Sequence, residues 1–187
     1  MTYEDFLNLK KSSKVDSGFE PKTLNSNLFE FQEFTIRRAL SAGKYAIFAD
    51  TGQGKTIMQL SIAYETSKET GKPTLILAPL AVTGQTVEEG LKFGFDIERF
   101  DTDSRCFIQI TNYEQLKDID VSKFGCICLD ESSILKNETG KFRNLLIDKF
   151  KDTPYKFCFS ATPSPNDPME LGNHAEFLDV MSYNEML

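Results

Sequence analysis

The fold is decided by the stretch Ala49-Asp50-Thr51-Gly52-Gln53-Gly54-Lys55-Thr56. It directly follows the apolar run 45–48, which predicts a buried strand, and it leads into residues 56–70, whose apolar side chains recur at helical spacing. Gly52 and Gly54 allow the backbone to turn tightly, so that several amides face one anion at the positive end of the following helix. The stretch therefore predicts a phosphate-binding loop.

Part of this loop is predicted to hold the phosphates of ATP, namely Thr51, Gly52, Gln53, Gly54, Lys55 and Thr56. Lys55 is expected to reach the β- and γ-phosphates, and the hydroxyl of Thr56 is expected to ligate Mg²⁺. Ala49 stands where the usual pattern has its first glycine. A glycine-rich turn without a ligand is the structural alternative, which Gly-Lys-Thr between a strand and a helix disfavours.

Short apolar runs alternate with helical patterns along the rest of the chain. The runs are 45–48, 75–78, 107–110, 126–129 and 157–159. Runs that are apolar on both faces are typical of a parallel sheet covered by helices, and the alternation predicts right-handed strand–helix–strand units. A further amphipathic helix is predicted from Glu30 to about Gly43. The fold class is therefore α/β, with a mostly parallel central sheet flanked by helices.

A pair of acidic residues, Asp130 and Glu131, ends the run 126–129. Carboxylates at the carboxyl edge of a parallel sheet lie beside the ligand in open α/β folds. Asp130 is predicted to hold Mg²⁺ through water, and Glu131 to orient or deprotonate the attacking water. Together with Lys55 they form the predicted catalytic set. Alone, such a pair is common in surface loops.

The composition limits what the chain can do. With 187 residues and 40% apolar side chains, it can bury one sizeable core, so we predict an N-terminal arm at 1–27 and one domain at 28–187. The net charge of −7 argues against strong non-specific nucleic-acid binding by this chain alone. The lack of a long apolar run and the acidic start favour a cytoplasmic location, in a bacterium or a phage-infected host.

Cysteine and histidine are common zinc ligands and catalytic residues, but the sequence predicts neither role for them here. The four cysteines fall mostly in apolar runs and lack the paired spacing of a zinc site, so they are predicted to be reduced, buried thiols. The only histidine, His174, lies in a polar stretch without a serine and a carboxylate arranged around it. It is therefore predicted to have no catalytic role.

Three segments, in this order and spacing, resemble motifs I, II and III of the superfamily 2 helicases. They are Gly52 to Thr56, then Leu129-Asp130-Glu131-Ser132-Ser133, then Ser160-Ala161-Thr162-Pro163. Segments 77–80 and 110–114 resemble motifs Ia and Ib of the same proteins. Leu135-Lys136-Asn137 and Glu170-Leu171 resemble the Swi/Snf-like branch, of the phage and prophage type, whereas Ser132-Ser133 departs from the usual pattern. The resemblance implies a three-layer RecA-like domain, covering nearly everything from Phe29 to about Leu178.

The resemblance also implies roles for individual residues. Phe29 and Gln32 would recognise adenine, because Gln32 has an amide that can both donate and accept hydrogen bonds. The strand before Ser160 would lie between the phosphate-loop strand and the Asp130 strand. Ser160 and Thr162 would hydrogen-bond Asp130 or Glu131 and couple nucleotide state to movement. Nucleic-acid phosphates would contact Thr83, near a helix expected to begin at about 84, and Thr111 and Asn112, although such residues also cap helices.

These inferences predict a monomeric ATP-binding motor domain of a nucleic-acid-dependent ATPase, with DNA favoured over RNA as its partner. A second RecA-like domain, which would bring arginine fingers to the γ-phosphate, is expected to lie outside this sequence. ATP hydrolysis by the chain alone is therefore expected to be weak. The alternatives are a nucleotide-gated nucleic-acid-binding module without hydrolysis, and a kinase or other small NTPase with a phosphate loop.

Overall fold

The computed structural model describes residues 16–136, 141–163 and 171–181. Within them, six strands form one sheet in the order β1-β6-β5-β2-β4-β3. Every neighbouring pair of these strands is parallel. The strands are β1 (Lys44–Phe48), β2 (Thr74–Ala78), β3 (Ile97–Arg99), β4 (Ile108–Asn112), β5 (Cys126–Leu129) and β6 (Tyr155–Ser160).

Helices connect these strands and cover both faces of the sheet. The α-helices are α1 (Glu30–Ala42), α2 (Lys55–Thr70), α3 (Leu80–Lys92), α4 (Lys141–Lys149) and α5 (Leu171–Phe177). Short 3₁₀ helices span Tyr113–Asp118, Val121–Lys123 and Ser132–Lys136. Gly43 ends α1 and Gly71 ends α2, each in the left-handed conformation that glycine adopts without a steric penalty.

The sheet is buried on both faces, and its side chains divide between two apolar clusters. Ile47, Ile76 and Ile110 pack on one face beneath α1, α2 and α3. Leu75, Leu77 and Leu129 pack on the other face, with Leu146 of α4 and Phe177 of α5. The predicted three-layer α/β fold is confirmed, including the position of β6 between β1 and β5.

Two details differ from the sequence-based expectation. Strand β3 was not predicted, because it has three residues of which only Ile97 is buried, and so it shows no apolar run. Helix α3 begins at Leu80, four residues before the predicted start near Gly84. Pro79 precedes its first turn, a position that suits proline because the amide there needs no helical partner. Gly84 is thus an interior helix residue, and not a start signal.

Part of the predicted N-terminal arm packs against the domain. Residues 1–15 lie outside the described residues, but the amides of Gly18 and Phe19 donate to the carbonyls of Ser41 and Leu40, both at 3.0 Å. A Cβ at Gly18 would stand 1.7 Å from the Leu40 carbonyl oxygen, so only glycine permits this approach. The ring of Phe19 contacts Tyr155 edge-on at 5.8 Å. The described part of the arm is therefore fixed to α1 and β6.

All four cysteines are buried and free, as predicted. In the described ranges, no helix is both long enough and apolar enough to cross a membrane.

Candidate nucleotide site

The phosphate loop links the carboxyl end of β1 to the amino end of α2. Gly52 and Gly54 have φ values of 84° and 75°, in the left-handed region that other residues rarely adopt. The Gln53 amide closes the turn by donating to the Asp50 carbonyl at 3.3 Å, and the Thr51 amide donates to the Asp50 carboxylate at 2.7 Å. The loop is thus folded by its own residues, with the α2 amino terminus directly behind it.

The sheet order brings the acidic pair to this loop. Strands β1, β6 and β5 are neighbours and parallel, so their carboxyl ends meet at one edge. The Lys55 ammonium nitrogen Nζ lies 3.5 Å from Oε1 of Glu131. A cavity of about 540 Å³ is shared by the loop residues 50–52 and 54–56 and by Asp130 and Glu131. Lys55, Thr56 and the two carboxylates therefore face one space, although 74 positions separate Thr56 from Asp130.

Asp130 is held in an environment that disfavours its charge. Burial, followed by the neighbouring Glu131 carboxylate, raises the pKa of Asp130 to about 6, while the Glu131 amide and Lys55 oppose the rise. The Asp130 backbone is fixed on both sides, because its amide donates to the Leu77 carbonyl at 2.8 Å and its carbonyl accepts from the Tyr113 hydroxyl at 2.5 Å. A cation at Asp130 would relieve this electrostatic cost.

The donor set fits Mg²⁺ bound to a nucleotide. The described residues contain no cluster of three or more His, Cys, Asp or Glu that could hold a metal by themselves. Mg²⁺ is commonly held by one or two protein oxygens together with water and substrate phosphates. Asp130 and Thr56 both line the cavity and could supply those oxygens beside the phosphate loop.

Glu131 has an unusual backbone. Its φ is 49°, in the left-handed region, which is uncommon for a residue other than glycine, asparagine or aspartate. Its side chain is partly exposed and reaches Lys55, whereas Asp130 is mostly buried. Backbone conformations of this kind cluster at functional sites. The two adjacent carboxylates thus have different surroundings, as different chemical roles would require.

Gln32 of α1 supports the phosphate loop from behind. Its side-chain amide donates from Nε2 to the Gln53 carbonyl at 2.9 Å, and its Oε1 accepts from the Phe29 amide at 2.9 Å. Gln32 is buried, which excludes the alternative that it is an exposed polar residue of the helix without a functional role. Phe29 is 67% exposed, and its ring lies parallel to that of Phe31 at 6.2 Å.

This contact predicts the effect of a substitution at Gly54. A Cβ at Gly54 would stand 2.3 Å from Nε2 of Gln32, so Gly54→Ala must displace the glutamine and break its bond to Gln53. Gly71→Ala is the matched control, because Gly71 has a φ of 65° and open space around its Cβ position. We expect urea denaturation to show that both lose about 1–2 kcal/mol to backbone strain, and that Gly54→Ala loses about 1 kcal/mol more.

The extra loss should disappear in a Gln32→Ala background, where no amide remains to be displaced. If Gly54→Ala and Gly71→Ala destabilise the protein equally in both backgrounds, Gln32 does not support the loop energetically.

Ser160 and Thr162 lie close to the loop but do not contact the acidic pair directly. The Ser160 carbonyl accepts from the Ala49 amide at 3.2 Å, and the Ser160 hydroxyl accepts from the Thr162 amide at 3.0 Å. In the parts of the chain that are described, neither hydroxyl is hydrogen-bonded to Asp130 or Glu131, and their role in coupling to nucleotide state stays a prediction. Ser160 is fully buried at the end of β6, where its hydroxyl caps the following turn.

Sequence reasoning missed a buried contact between Ser132 and His174. Oγ of Ser132 and Nε2 of His174 are 3.0 Å apart, and the imidazole ring meets Phe48 edge-on at 5.5 Å. His174 therefore does have a serine neighbour, contrary to the expectation from its polar stretch. Since Ser132 is fully buried, this serine cannot meet a substrate. In the sequence, only the departure of Ser132 from the usual helicase motif indicated an unusual residue here, and it did not indicate His174 as the partner.

Helix α3 also contributes residues that were not predicted. The nucleotide cavity is also lined by Val82, Gln85, Thr86 and Glu89. These residues are spaced so that they lie on one face of the helix. The face was not recognised in the sequence, because the helix was predicted to begin near Gly84, after its first turn.

The three predicted nucleic-acid residues are brought together elsewhere on the same edge. Thr83, Thr111 and Asn112 line a separate cavity of about 160 Å³. The Asn112 side chain accepts from the amides of Glu114 and Gln115, both at 3.0 Å, so it caps the 3₁₀ helix that follows. The Thr83 hydroxyl donates to the Leu80 carbonyl at 2.9 Å. Helix capping, the alternative to nucleic-acid binding, therefore accounts for Asn112, because its acceptor oxygen is already used.

A RecA-like sheet with a phosphate loop beside an Asp-Glu pair defines the ATPase motor domain of superfamily 2 proteins. Residues 29–171 match the family model of the DEAD/DEAH box helicases. This match covers more than half of the chain, which therefore belongs to the DEAD/DEAH box helicase family. Members of this family use ATP and Mg²⁺ in general.

The proteins that this chain resembles include phage proteins and a SWI2/SNF2 ATPase core. It is 30% identical over 177 residues to Putative protein p41 of Acyrthosiphon pisum secondary endosymbiont phage 1, covering 80% of this chain and 38% of the relative. It resembles the Sulfolobus solfataricus SWI2/SNF2 ATPase core in complex with dsDNA, with a TM-score of 0.75 and 23% identity over 89% of this chain and 39% of that one. It also resembles the UvsW helicase of Bacteriophage T4, with a TM-score of 0.66 and 16% identity over 97% of this chain and 66% of that one.

Proposed function

We propose that this domain binds ATP–Mg²⁺ and hydrolyses ATP as one half of a motor that moves on nucleic acid. One observation carries the proposal: the phosphate loop, Lys55, Asp130 and Glu131 all border one cavity of about 540 Å³. Cavities of this size hold small-molecule ligands, and this one combines backbone amides, a cation and two carboxylates.

Each residue of the site has a distinct part in the proposal. Lys55 neutralises the β- and γ-phosphates, while Thr56 and Asp130 hold the Mg²⁺ that supplies further positive charge there. Glu131 orients the attacking water and accepts its proton, helped by its partial exposure and by the left-handed backbone that turns it toward Lys55. Gln32 fixes the loop through Gln53, and Phe29 offers an exposed ring on which an adenine base can stack.

A second RecA-like domain completes the proposed motor. Among the residues that the structure describes, no arginine lines the nucleotide cavity. The chain spans 38% of the length of its phage relative and 39% of that of the SWI2/SNF2 ATPase core. We therefore infer that a partner domain supplies arginine fingers. Double-stranded DNA is the nucleic acid on which we propose that the motor moves, because the SWI2/SNF2 ATPase core was solved in complex with dsDNA.

The test measures ATP turnover by the 187-residue chain and by a longer protein that includes the second domain. We expect the chain alone to bind ATP–Mg²⁺ and to hydrolyse it very slowly, and the longer protein to be faster by about 10³ to 10⁵, the usual effect of an arginine finger. Double-stranded DNA, single-stranded DNA and RNA are each added to the longer protein. Robust turnover by the chain alone, stimulated by nucleic acid, would refute the need for a partner.

A further inference from the structure

The peptide groups on both sides of Glu131 are held in place by hydrogen bonds. The peptide between Asp130 and Glu131 is held at both ends, because its amide donates to Oδ1 of Asp130 at 3.1 Å and its carbonyl accepts from the Tyr113 hydroxyl at 2.5 Å. The carbonyl of Glu131 accepts from the Ile134 amide at 3.1 Å. The left-handed φ of 49° at Glu131 is therefore set between two fixed peptide groups.

Of these three hydrogen bonds, the one from Tyr113 links distant parts of the chain. Asp130 and Ile134 are near neighbours of Glu131 and move with it, whereas Tyr113 lies 17 positions before Asp130. A residue with a side chain disfavours the left-handed conformation about 5- to 30-fold relative to the right-handed one. A contact from another element of the fold is therefore needed to hold Glu131 there.

Tyr113 is rigidly placed to make this contact. It is the first residue of the 3₁₀ helix that follows β4, and the Asn112 side chain caps this helix by accepting from two amides, both at 3.0 Å. Its buried ring packs in the apolar cluster beneath α4 and α5 and meets Phe142 edge-on at 5.9 Å. Burial raises the pKa of Tyr113 well above its usual range, so the hydroxyl keeps its proton and donates.

We propose that Tyr113 is a positioning residue, whose hydroxyl keeps Glu131 in the left-handed conformation and so aims its carboxylate into the nucleotide cavity. This proposal rests on the proposed function of Glu131, and it adds a residue that does not line the cavity. In the observed conformation, Oε1 of Glu131 lies 3.5 Å from Nζ of Lys55. Rotation of the preceding peptide would change φ and move the carboxylate. A misplacement of about 1 Å can cost about 10² in rate.

The contact acts on the base and not on the proposed metal ligand. The Asp130 amide donates to the Leu77 carbonyl at 2.8 Å, which extends the pairing of β5 with β2 by one residue. Asp130 therefore stays anchored to the sheet when the Tyr113 hydroxyl is removed, whereas Glu131 loses the bond that fixes its φ. Hydrolysis should thus depend on Tyr113, while the binding of ATP and Mg²⁺ should not.

The first test compares the wild type with Tyr113→Phe, which removes the hydroxyl and keeps the buried ring. Single-turnover hydrolysis of radiolabelled ATP by the full chain measures the rate, and equilibrium titrations measure the affinities for ATP and Mg²⁺. We expect the rate to fall about 10- to 100-fold with both affinities unchanged. In a Glu131→Gln background, Tyr113→Phe should cause no further loss, because residues that act as one unit are not additive.

Tyr64→Phe is the matched control, because Tyr64 packs against the apolar cluster on the other face of the sheet and does not line the nucleotide cavity. It should leave the rate unchanged. An equal loss in the two variants would overturn the proposal. So would weaker binding of Mg²⁺ by Tyr113→Phe, since Asp130 would then be the residue that Tyr113 positions, and so would a full further loss in the Glu131→Gln background.

A second test requires no hydrolysis, and it separates this proposal from the proposed function. Glycine adopts the left-handed conformation without the steric penalty, so Glu131→Gly relieves strain only where Tyr113 imposes it. In urea denaturation, the effect of Glu131→Gly on the unfolding equilibrium constant should differ about 5- to 30-fold between the wild type and Tyr113→Phe. Equal effects would refute the positioning role. Unequal effects, in a chain whose Glu131→Gln variant hydrolyses ATP at the wild-type rate, would confirm the contact and refute the proposed base.

Discussion

Lys55→Ala is expected to reduce ATP hydrolysis by about 10²–10³-fold, the usual effect of removing a group that stabilises developing charge. Its ammonium group lies within 3.5 Å of Glu131 and its side chain is only 17% exposed, so water cannot replace the lost charge well. We expect the dissociation constant for ATP to rise about 10- to 100-fold, since a hydrogen bond to a charged group contributes about 1.5–3 kcal/mol. Steady-state turnover and equilibrium titration with a fluorescent ATP analogue measure the two effects.

Lys68→Ala is the control for this substitution. Lys68 is exposed on the same helix, carries the same charge, pairs with Glu65 and does not line the cavity. It should therefore leave both constants unchanged. If the two variants behave alike, Lys55 does not contact the phosphates and the proposed site is wrong.

Glu131→Gln is expected to lower the hydrolysis rate by about 10²–10⁴-fold, the usual contribution of general acid–base catalysis, while ATP binding is retained. Binding survives for two reasons. Lys55 loses its carboxylate partner and becomes free for the phosphates, and Asp130 loses the neighbouring negative charge that raises its pKa. The variant should therefore trap ATP. Single-turnover kinetics measure the rate, and chromatography of the bound nucleotide should recover ATP instead of ADP.

Glu88→Gln is the corresponding control, because Glu88 is exposed on α3 and does not line the cavity. It removes the same charge from the same chain and should hydrolyse ATP at the wild-type rate. Wild-type turnover by Glu131→Gln would remove the assignment of the base but leave the phosphate loop in place.

The main features of the fold could be predicted because they depend on local pattern. Runs that are apolar on both faces predicted five of the strands, and the sequence between β1 and β2 predicted α2 almost to the residue. Strand β3 could not be predicted in this way, since three residues with one buried side chain form no period. It exists because Ile97 pairs with Ile108 at the edge of a sheet that other residues had already formed.

In the candidate site, too, the features that could be predicted are those formed by residues close together in the sequence. The phosphate loop and the acidic pair were predicted from residues adjacent in the sequence, whose chemistry depends on that adjacency. The contact of Gln32 with Gln53 and the contact of Ser132 with His174 join residues 21 and 42 positions apart. No local pattern encodes such a distance. In this structure the Ser160 hydroxyl accepts from the Thr162 amide, two positions away, and its predicted bond to the acidic pair stays a prediction.

By itself, the sequence determined that a strand, a glycine-rich turn and a helix would follow one another, a geometry suited to an anion, because backbone geometry and helix polarity act over a few residues. Only the tertiary structure decided that Asp130 would be desolvated beside this loop and that Gln32 would donate to the Gln53 carbonyl. Charge and desolvation depend on distances through space, and those distances are fixed by the order in which the six strands pair.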